Sequence, residues 1–247
     1  MTQEENAGKP MLALWSVPRS RSTAFFRVMG ERGDLGVVHE PFSYLAEFGR
    51  CEVEGRQAAT EAELVAALRD LNRERRVFFK DTTDERYPGV LADQDFLAHD
   101  AVHTFLIRHP RKTIASYHAL NPDVRLHQLG FEALYELYEA VREATGRAPM
   151  VIDGDRFAQR PEATVRAYCD AIGLPYDAEA LTWNSGERDE WAPSARWHRD
   201  ASASSGVHTR ENAYAVDVES DERLGGYLRH HLPFYEKLLA EALPAQP

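Results

Sequence analysis

Five short apolar segments recur along the chain, and stretches with the periodicity of amphipathic helices separate them. The apolar segments lie at residues 11–17, 35–39, 76–80, 102–108 and 150–153. Apolar runs of this length, bounded by prolines or charged residues, are typical of buried strands. Strands that alternate with helices build a parallel sheet covered on both faces. The sequence therefore predicts an α/β fold in three layers, with a central, mainly parallel sheet flanked by helices.

Helices are predicted from apolar spacing and from prolines in a first turn. Leu134, Leu137 and Val141 share one face of a long helix that ends near Gly146. An amphipathic pattern predicts a final helix over residues 233–243. The other predicted helices cover residues 22–32, 61–72, 110–117 and 161–172.

No repeat and no linker divides the chain. Residues 1–10 are predicted to be a disordered leader, and residues 11–247 are predicted to form a single domain. Regular periodicity fades over residues 177–221, where tryptophans, serines and charges are mixed. We expect an irregular C-terminal third on an otherwise regular domain.

The charge of the chain argues against large polyanionic partners. It has 29 Lys and Arg against 40 Asp and Glu, a net charge of −11, and such a field repels nucleic acids. The apolar stretches are too short to span a bilayer, and the acidic N-terminal segment does not resemble a secretory signal. Two cysteines, Cys51 and Cys169, provide no disulfide framework. We expect a cytoplasmic protein with no nucleic-acid or membrane partner, in which local basic loops still bind small anions.

The first predicted strand runs into a basic, hydroxyl-rich turn that opens a helix. The turn reads Pro18-Arg19-Ser20-Arg21-Ser22-Thr23. Backbone N–H groups in the first turn of a helix lack internal partners and attract anions, and the side chains add further donors. The turn predicts a phosphate loop, although a serine-capped helix start with solvated arginines fits this segment equally well. It lacks the GxxxxGK[ST] pattern of nucleoside triphosphatases, because it contains neither Gly nor Lys.

A second basic segment follows the fourth predicted strand. It reads Arg108-His109-Pro110-Arg111-Lys112-Thr113-Ile114-Ala115-Ser116. Basic residues at a helix N-terminus oppose the helix dipole, so this start favours a bound anion over an ordinary helix start. Together the two segments suit a ligand with two separate anionic groups. No metal-ligand motif occurs in the sequence, and we expect no metal.

These motifs resemble those of the sulfotransferase family that uses 3′-phosphoadenosine 5′-phosphosulfate (PAPS). PRSRST resembles its 5′-phosphosulfate loop, P-[KR]-S-G-[ST]-[ST], and RHPRKTIAS resembles its 3′-phosphate motif, R-x-P-x-x-x-x-x-S. A third match is VIDGDRFAQRPEATVRAYCDAIGLP at residues 151–175, where Asp153-Gly154-Asp155 replaces the commoner Tyr-Glu-Asp. The resemblance implies the P-loop-NTPase-like sulfotransferase fold, with PAPS as co-substrate and no metal. It also implies a small-molecule hydroxyl or phenol acceptor and, by family habit, a role in secondary metabolism.

The resemblance assigns the phosphate loop residue by residue. Arg19 would contact the 5′-phosphate, and the phosphosulfate would be surrounded by Ser20, Arg21, Ser22 and Thr23. Arg21 stands where the family usually has glycine, which puts the backbone geometry of the loop in question.

Two further groups would complete the nucleotide site. Arg108 and Ser116 would hold the 3′-phosphate. The closing RKG-type segment of the cytosolic enzymes is absent from the sequence. Its place is either taken by a turn around Arg199 or occupied by an ordinary surface loop. The other candidates in that turn are Ser204, Ser205 and Gly206.

A general base is implied after the second predicted strand. In the branch that includes heparan sulfotransferases and several bacterial enzymes, a glutamate here is the base, and Glu40 matches it. His39 is the alternative base, because its reference pKa is nearer neutrality. Strand alternation places these two side chains on opposite faces, which predicts that one of them reaches the site.

The third predicted strand ends in Lys80-Asp81-Thr82. Cytosolic sulfotransferases carry Lys-x-His here, with the histidine as base, and Thr82 lacks that function. Lys80 either reaches the bridging oxygen between phosphorus and sulfur, which leaves with the phosphate, or pairs with Asp81.

Two other functions remain open. A kinase with a related sheet would want a Lys in the first loop and a metal-binding acid, and the Lys is missing. A nucleotide-binding protein of the same fold without catalysis would lack a candidate base. A homodimer is compatible with the sequence. An apolar acceptor pocket, or alternatively the core, is predicted for Trp183, Trp191, Trp197, Phe42, Tyr44 and Phe48.

Overall fold

The computed structural model describes residues 8–186, 188, 191, 196–209 and 214–243. The strands are β1 Met11–Ser16, β2 Gly36–His39, β3 Cys51–Val53, β4 Arg56–Ala58, β5 Val77–Thr82, β6 Ala101–Ile107 and β7 Met150–Asp153. The α-helices are α1 Ser22–Glu31, α2 Pro41–Phe48, α3 Glu61–Glu74, α4 Pro88–Ala92, α5 Pro110–Leu120, α6 Phe131–Thr145, α7 Gly154–Gln159, α8 Pro161–Ile172, α9 Arg199–Ser202 and α10 Glu222–Ala240. Short 3₁₀ or π-helical segments occupy Phe96–Asp100, Leu126–Leu129 and Glu179–Leu181.

Parallel strands form the central sheet in the order β2-β5-β1-β6-β7. β1 lies in the middle, with Leu14 opposite Lys80 of β5 and Ser16 opposite Leu106 of β6. β3 and β4 form a separate antiparallel hairpin. The predicted α/β architecture with a central parallel sheet is confirmed.

Two hydrophobic cores lie on the two faces of the sheet. Ala13 and Trp15 of β1 belong to one core, and Leu12 and Leu14 belong to the other. Alternate residues of a strand point to opposite faces, so a strand buried along its whole length needs a layer on each side. The larger core includes residues of α3, α6 and α10, and the smaller core includes residues of α1 and α8.

The final helix begins at Glu222, and the predicted start at Pro233 is wrong. Asp221 caps the helix, because its carboxylate accepts a hydrogen bond from the N–H of Leu224 at 2.8 Å. Pro233 lies inside α10, where it removes a single backbone donor. Buried side chains on both sides of it, such as Leu224 and Leu238, attach the helix to the core. Tertiary packing therefore outweighs the local preference of proline for a first turn.

The C-terminal third is irregular, as its sequence predicts. Its described residues between 177 and 221 form short helical turns and an isolated antiparallel bridge from Thr182 to Gly206. Of the predicted leader, residues 1–7 lie outside the described residues. No helix in the described part of the chain is both long and apolar enough to cross a membrane.

Candidate active site

A cavity of about 600 Å³ lies at the edge of the sheet where the parallel strands end. This is the edge at which parallel α/β sheets bind ligands. Ser20 and His39 are buried and are not part of the cavity wall. The side chain of Arg199 lies outside the described part of the structure. The wall includes the other predicted site residues, namely Arg19, Arg21, Ser22, Thr23, Glu40, Lys80, Arg108, Ser116, Ser204, Ser205 and Gly206.

The loop after β1 passes twice through left-handed backbone conformation. Arg19 has φ 64° and Arg21 has φ 77°. This region favours glycine, and a residue with a Cβ atom is less stable in it by about 1–2 kcal/mol. Arg21 thus adopts the conformation that the glycine of the family motif favours. α1 begins at Ser22, and no described side chain caps it, so its first N–H groups remain available to an anion.

Gly154 allows this loop to lie against the end of β7. A Cβ atom at Gly154 would lie 2.2 Å from the carbonyl oxygen of Ser20 and 3.1 Å from that of Ile107. Both oxygens belong to the backbone and cannot rotate away. Gly154 stands where the commoner motif has Glu, and the absence of a side chain there permits the close approach of the phosphate loop.

Arg19 connects the two basic segments to the C-terminal third. Its Nε donates a hydrogen bond to Ser116 Oγ at 3.1 Å, and its Nη1 donates to the carbonyl oxygen of Trp197 at 2.6 Å. Its own carbonyl oxygen accepts from Nη1 of Arg108 at 3.2 Å. Burial lowers the pKa of Arg19. The two predicted phosphate segments are thus joined by hydrogen bonds into one basic surface.

Asp155 provides a negative charge for the basic start of α5. Its Oδ1 accepts from Nε of Arg108 at 3.1 Å, and its Oδ2 accepts from Nζ of Lys112 at 2.9 Å. Burial raises the pKa of Asp155, but Lys112 and Arg108 lower it more, and the result lies below the ordinary value. The unfavourable dipole interaction of these cations is therefore offset in part by the chain itself. The same contacts hold Arg108 in place.

Glu40 leaves β2 through another left-handed residue, with φ 46°. Its N–H donates to the carbonyl oxygen of Lys80 at 2.7 Å, and α2 begins at the next residue. The side chain of Glu40 enters the cavity wall, and His39 lies behind it with Nδ1 3.8 Å from Glu40 Oε2. The prediction that the two side chains lie on opposite faces is wrong, because the left-handed turn at Glu40 ends the alternation of the strand.

Lys80 pairs with Glu40 and not with Asp81. Its Nζ donates to Glu40 Oε1, and its side chain is 1% exposed. Burial raises the pKa of Glu40, but Lys80 and the two neighbouring histidines lower it more, to about 2. Glu40 is therefore ionised at neutral pH.

Asp81 positions the turn that carries Glu40, a role that sequence reasoning missed. Its carboxylate accepts hydrogen bonds from the N–H groups of Phe42 at 2.6 Å, Ser43 at 3.1 Å and Thr82 at 2.9 Å. Burial raises the pKa of Asp81 to about 7 against the lowering effect of these donors. α2 itself was not predicted, so nothing in the sequence marked Asp81 as its cap.

His198 is a second residue that sequence reasoning missed. It is 4% exposed, and its Nδ1 lies 3.0 Å from Thr23 Oγ1 in the phosphate loop. Its Nε2 lies 4.0 Å from Glu40 Oε2. Burial lowers the pKa of His198 to about 4, so its ring is neutral at pH 7. The imidazole thus lies between the loop and the candidate base.

The aromatic residues that the sequence left between pocket and core divide between the two. Trp197 and Tyr44 line the cavity. Phe42, Trp183 and Trp191 are buried away from its wall, and Phe48 is 48% exposed. Of these six residues, two therefore line the cavity, whose wall also includes the basic, hydroxyl-rich surface around Arg19.

This arrangement can bind an anion and accept a proton beside it. The arginines and helix N–H groups attract phosphate or sulfate groups, and the ionised carboxylate of Glu40 is a proton acceptor. His39, Glu40 and His198 also form a group whose ligand atoms lie within 4.8 Å of one another. No motif in the sequence predicts that group.

The sequence-based resemblance is tested by a family model. The model described as "Sulfotransferase domain" matches residues 11–242, which include every strand and helix listed above. The chain belongs to the sulfotransferase family. The family expected from the three motifs is therefore confirmed.

Two curated proteins are similar to most of this chain. These Arabidopsis thaliana proteins, branched-chain-amino-acid aminotransferase-like proteins 2 and 1, are 27% and 28% identical over 93% of this chain. The alignments cover 43% of each relative, so the chain spans less than half of their length. The sulfotransferase domain of the Synechococcus PCC 7002 olefin synthase covers 97% of both chains at 15% identity and a TM-score of 0.46. The sulfotransferase domain of the curacin biosynthetic pathway covers 96% of this chain and 100% of its own at 10% identity and a TM-score of 0.41.

Proposed function

We propose that this sulfotransferase moves a sulfuryl group from PAPS to a hydroxyl group of a small-molecule acceptor, with Glu40 as the general base. One observation carries the proposal. A single cavity holds the ionised carboxylate of Glu40 beside a phosphate loop that is hydrogen-bonded, through Arg19, to Ser116 and Arg108. Two anion-binding elements next to a base suit a bisphosphorylated donor and a hydroxyl acceptor.

The residues divide the reaction between them. Arg19, Ser22 and Thr23 would bind the 5′-phosphosulfate, and Arg108 and Ser116 would bind the 3′-phosphate. Glu40 would take the proton of the acceptor hydroxyl. The acceptor oxygen would bond to sulfur while the bond between sulfur and the phosphate oxygen of PAPS breaks. Positioning and electrostatic stabilisation supply most of the rate, as in phosphoryl transfer.

Lys80 would have two roles in turn. Paired with Glu40, it keeps the carboxylate ionised but weakly basic, with a pKa of about 2. Movement of its Nζ toward the leaving phosphate oxygen would place positive charge where negative charge develops. The same movement would raise the pKa of Glu40, because burial alone raises it. Donor binding would thereby strengthen the base.

Calorimetric titration with 3′-phosphoadenosine 5′-phosphate tests the nucleotide class without a known acceptor. One extra charge-assisted contact contributes about 1.5–3 kcal/mol, so the bisphosphate should bind roughly ten- to a hundredfold more tightly than AMP. Excess chelator should leave this affinity unchanged. Equal affinities would overturn the two-anion assignment, and a magnesium requirement would favour a kinase.

A transfer assay with PAPS and a panel of phenols and alcohols tests the reaction. We expect acceptor-dependent release of 3′-phosphoadenosine 5′-phosphate. If ATP with magnesium phosphorylates these acceptors while PAPS is inert, the proposed donor is wrong.

A further inference from the structure

Three ligand atoms converge next to the wall of the active-site cavity. Glu40 Oε2 lies 3.8 Å from His39 Nδ1 and 4.0 Å from His198 Nε2. One ligand atom from each of the three residues lies within 4.8 Å of the other two. Ligand atoms around a tetrahedral Zn²⁺ with bonds of about 2.0–2.1 Å are about 3.3 Å apart. The distance between each pair of ligand atoms would therefore have to shorten by about 0.5–1.5 Å on metal binding. Rotation of the side chains can supply this change.

The donor set is one that transition metals prefer. Two neutral imidazoles and one carboxylate, with a position left for solvent or substrate, suit Zn²⁺ and similar ions and not Mg²⁺ or Ca²⁺. Burial holds the pKa of both histidines below the ordinary value, so their rings are neutral at pH 7. Glu40 is ionised under the same conditions.

The surroundings of His198 orient its ring for this role. His198 Nδ1 lies 3.0 Å from Thr23 Oγ1. In the tautomer in which Nδ1 donates to this hydroxyl, Nε2 carries the lone pair, and Nε2 is the nitrogen 4.0 Å from Glu40 Oε2. Ligand histidines typically make such a hydrogen bond through the other ring nitrogen. His39 differs, because its Nδ1 lies 3.1 Å from Tyr44 Oη and its buried Nε2 has no partner among the described residues. The hydroxyl of Tyr44 would have to rotate for Nδ1 to bind a metal.

One cation opposes binding. Nζ of Lys80 donates to the other carboxylate oxygen of Glu40, and its charge repels a divalent ion bound at Oε2. This repulsion weakens the site and gives it a testable property, because removal of the charge should strengthen binding.

We propose that His39, Glu40 and His198 form a binding site for a divalent transition-metal ion such as Zn²⁺, and that the bound ion inhibits the sulfotransferase. Coordination of Oε2 would occupy the electron pair with which Glu40 accepts the acceptor proton. The binding half of the proposal does not depend on the proposed function, whereas the inhibitory half rests on the proposed function of Glu40. No redox step is involved.

Binding is tested on the full chain after removal of metals with a chelator. Co²⁺ is added as a spectroscopic probe, and we expect a visible absorption band of a nitrogen- and oxygen-ligated site at one equivalent, displaced by Zn²⁺. His198→Gln should weaken Zn²⁺ binding, measured by calorimetry, at least tenfold. His99→Gln is the matched control, because His99 is exposed, and it should leave the affinity unchanged. Lys80→Met should tighten binding at least tenfold.

The outcomes separate the two proposals. Equal Zn²⁺ affinities for the native chain and His198→Gln, with both folded by circular dichroism, would overturn the metal site. If His198→Gln fails to fold, a Co²⁺ band that is unchanged in Glu40→Gln would overturn it as well. Metal binding without PAPS-dependent activity would support the metal site and overturn the proposed sulfuryl transfer. Where activity is found, micromolar Zn²⁺ should reduce it, and chelator should restore it. Activity unaffected by a saturating Zn²⁺ concentration would overturn the inhibitory half.

Discussion

Lys80 and Glu40 form an ion pair in the wall of the cavity, although 40 positions separate them in the sequence. The register of β2 against β5 places His39 opposite Lys80, and the N–H of Glu40 then bonds to the carbonyl oxygen of Lys80. The left-handed turn at Glu40 directs its carboxylate back over the same lysine. The pair links the proposed base to the lysine that we propose stabilises the leaving phosphate.

Glu40→Gln should abolish most turnover while nucleotide binding survives. Glutamine keeps the size of the side chain and an acceptor for Lys80, but it cannot take a proton. We expect kcat to fall by about a hundred- to ten-thousandfold at similar KM. Glu47→Gln, which changes another carboxylate of the cavity wall, is the matched control. If His39→Gln shows the large fall and Glu40→Gln does not, the histidine is the base.

The ion pair should also contribute to stability. Lys80→Met leaves the carboxylate of Glu40 without its cation and should cost about 3 kcal/mol in the free energy of unfolding. Adding Glu40→Gln should recover part of that loss, because the unpaired charge is then removed. Urea unfolding of the native chain, both single variants and the double variant at pH 7 gives the coupling energy. Strictly additive effects would contradict the pairing.

Arg108→Gln should remove discrimination by the 3′-phosphate. Loss of one charge-assisted contact should weaken binding of 3′-phosphoadenosine 5′-phosphate about ten- to a hundredfold and leave AMP binding unchanged. Arg111→Gln is the control, because Arg111 belongs to the same basic segment and has an exposed side chain. An equal loss of affinity for both nucleotides would show that Arg108 acts on the loop and not on the 3′-phosphate.

Gly154→Ala should displace the phosphate loop. Its Cβ atom would lie 2.2 Å from the carbonyl oxygen of Ser20, so we expect a loss of about 1–3 kcal/mol in stability and weaker nucleotide binding. Gly30→Ala is the control. Gly30 lies inside α1, and its Cβ atom would meet only the side chain of Val37, at 3.9 Å. Alanine at this helical position should be neutral or stabilising. Thermal unfolding and calorimetry measure both effects, and native-like affinity in Gly154→Ala would contradict the close approach.

Acid should destabilise the fold through His103. Trp15 Nε1 donates to His103 Nδ1 at 2.9 Å, and His103 Nε2 lies 3.0 Å from the carbonyl oxygen of Phe96. Burial lowers the pKa of His103 to about 4. The unfolded chain, with a histidine pKa near 6.5, therefore binds the proton first. The contribution of neutral, buried His103 to stability is present above about pH 6.5. It is lost as the pH falls toward 4, by about 1.4 kcal/mol per pH unit.

The comparison of unfolding free energies between the native chain and His103→Gln isolates this effect. Glutamine can both accept from Trp15 and donate to Phe96, but it does not titrate. The stability advantage of the native chain over His103→Gln should shrink between pH 6.5 and 4. A difference that is independent of pH would show that His103 titrates normally.

The sequence alone determined the architecture and the family. Apolar segments and helical spacing are local patterns, so they predicted the strands of the central sheet and helices such as α8 at Pro161–Ile172. The motifs around Arg19 and Arg108 are contiguous, and the family model bears out the sulfotransferase family that they indicated.

Only the tertiary structure decided which side chains meet. His198 contacts Thr23 across 175 positions, Asp81 caps α2, and the pairing of Lys80 depends on strand register together with one left-handed residue. The start of α10 at Glu222 depends on packing that outweighs a proline. Local periodicity carries no information about such contacts, because their geometry arises only when the sheet brings separate strand ends and the irregular C-terminal third to the same edge.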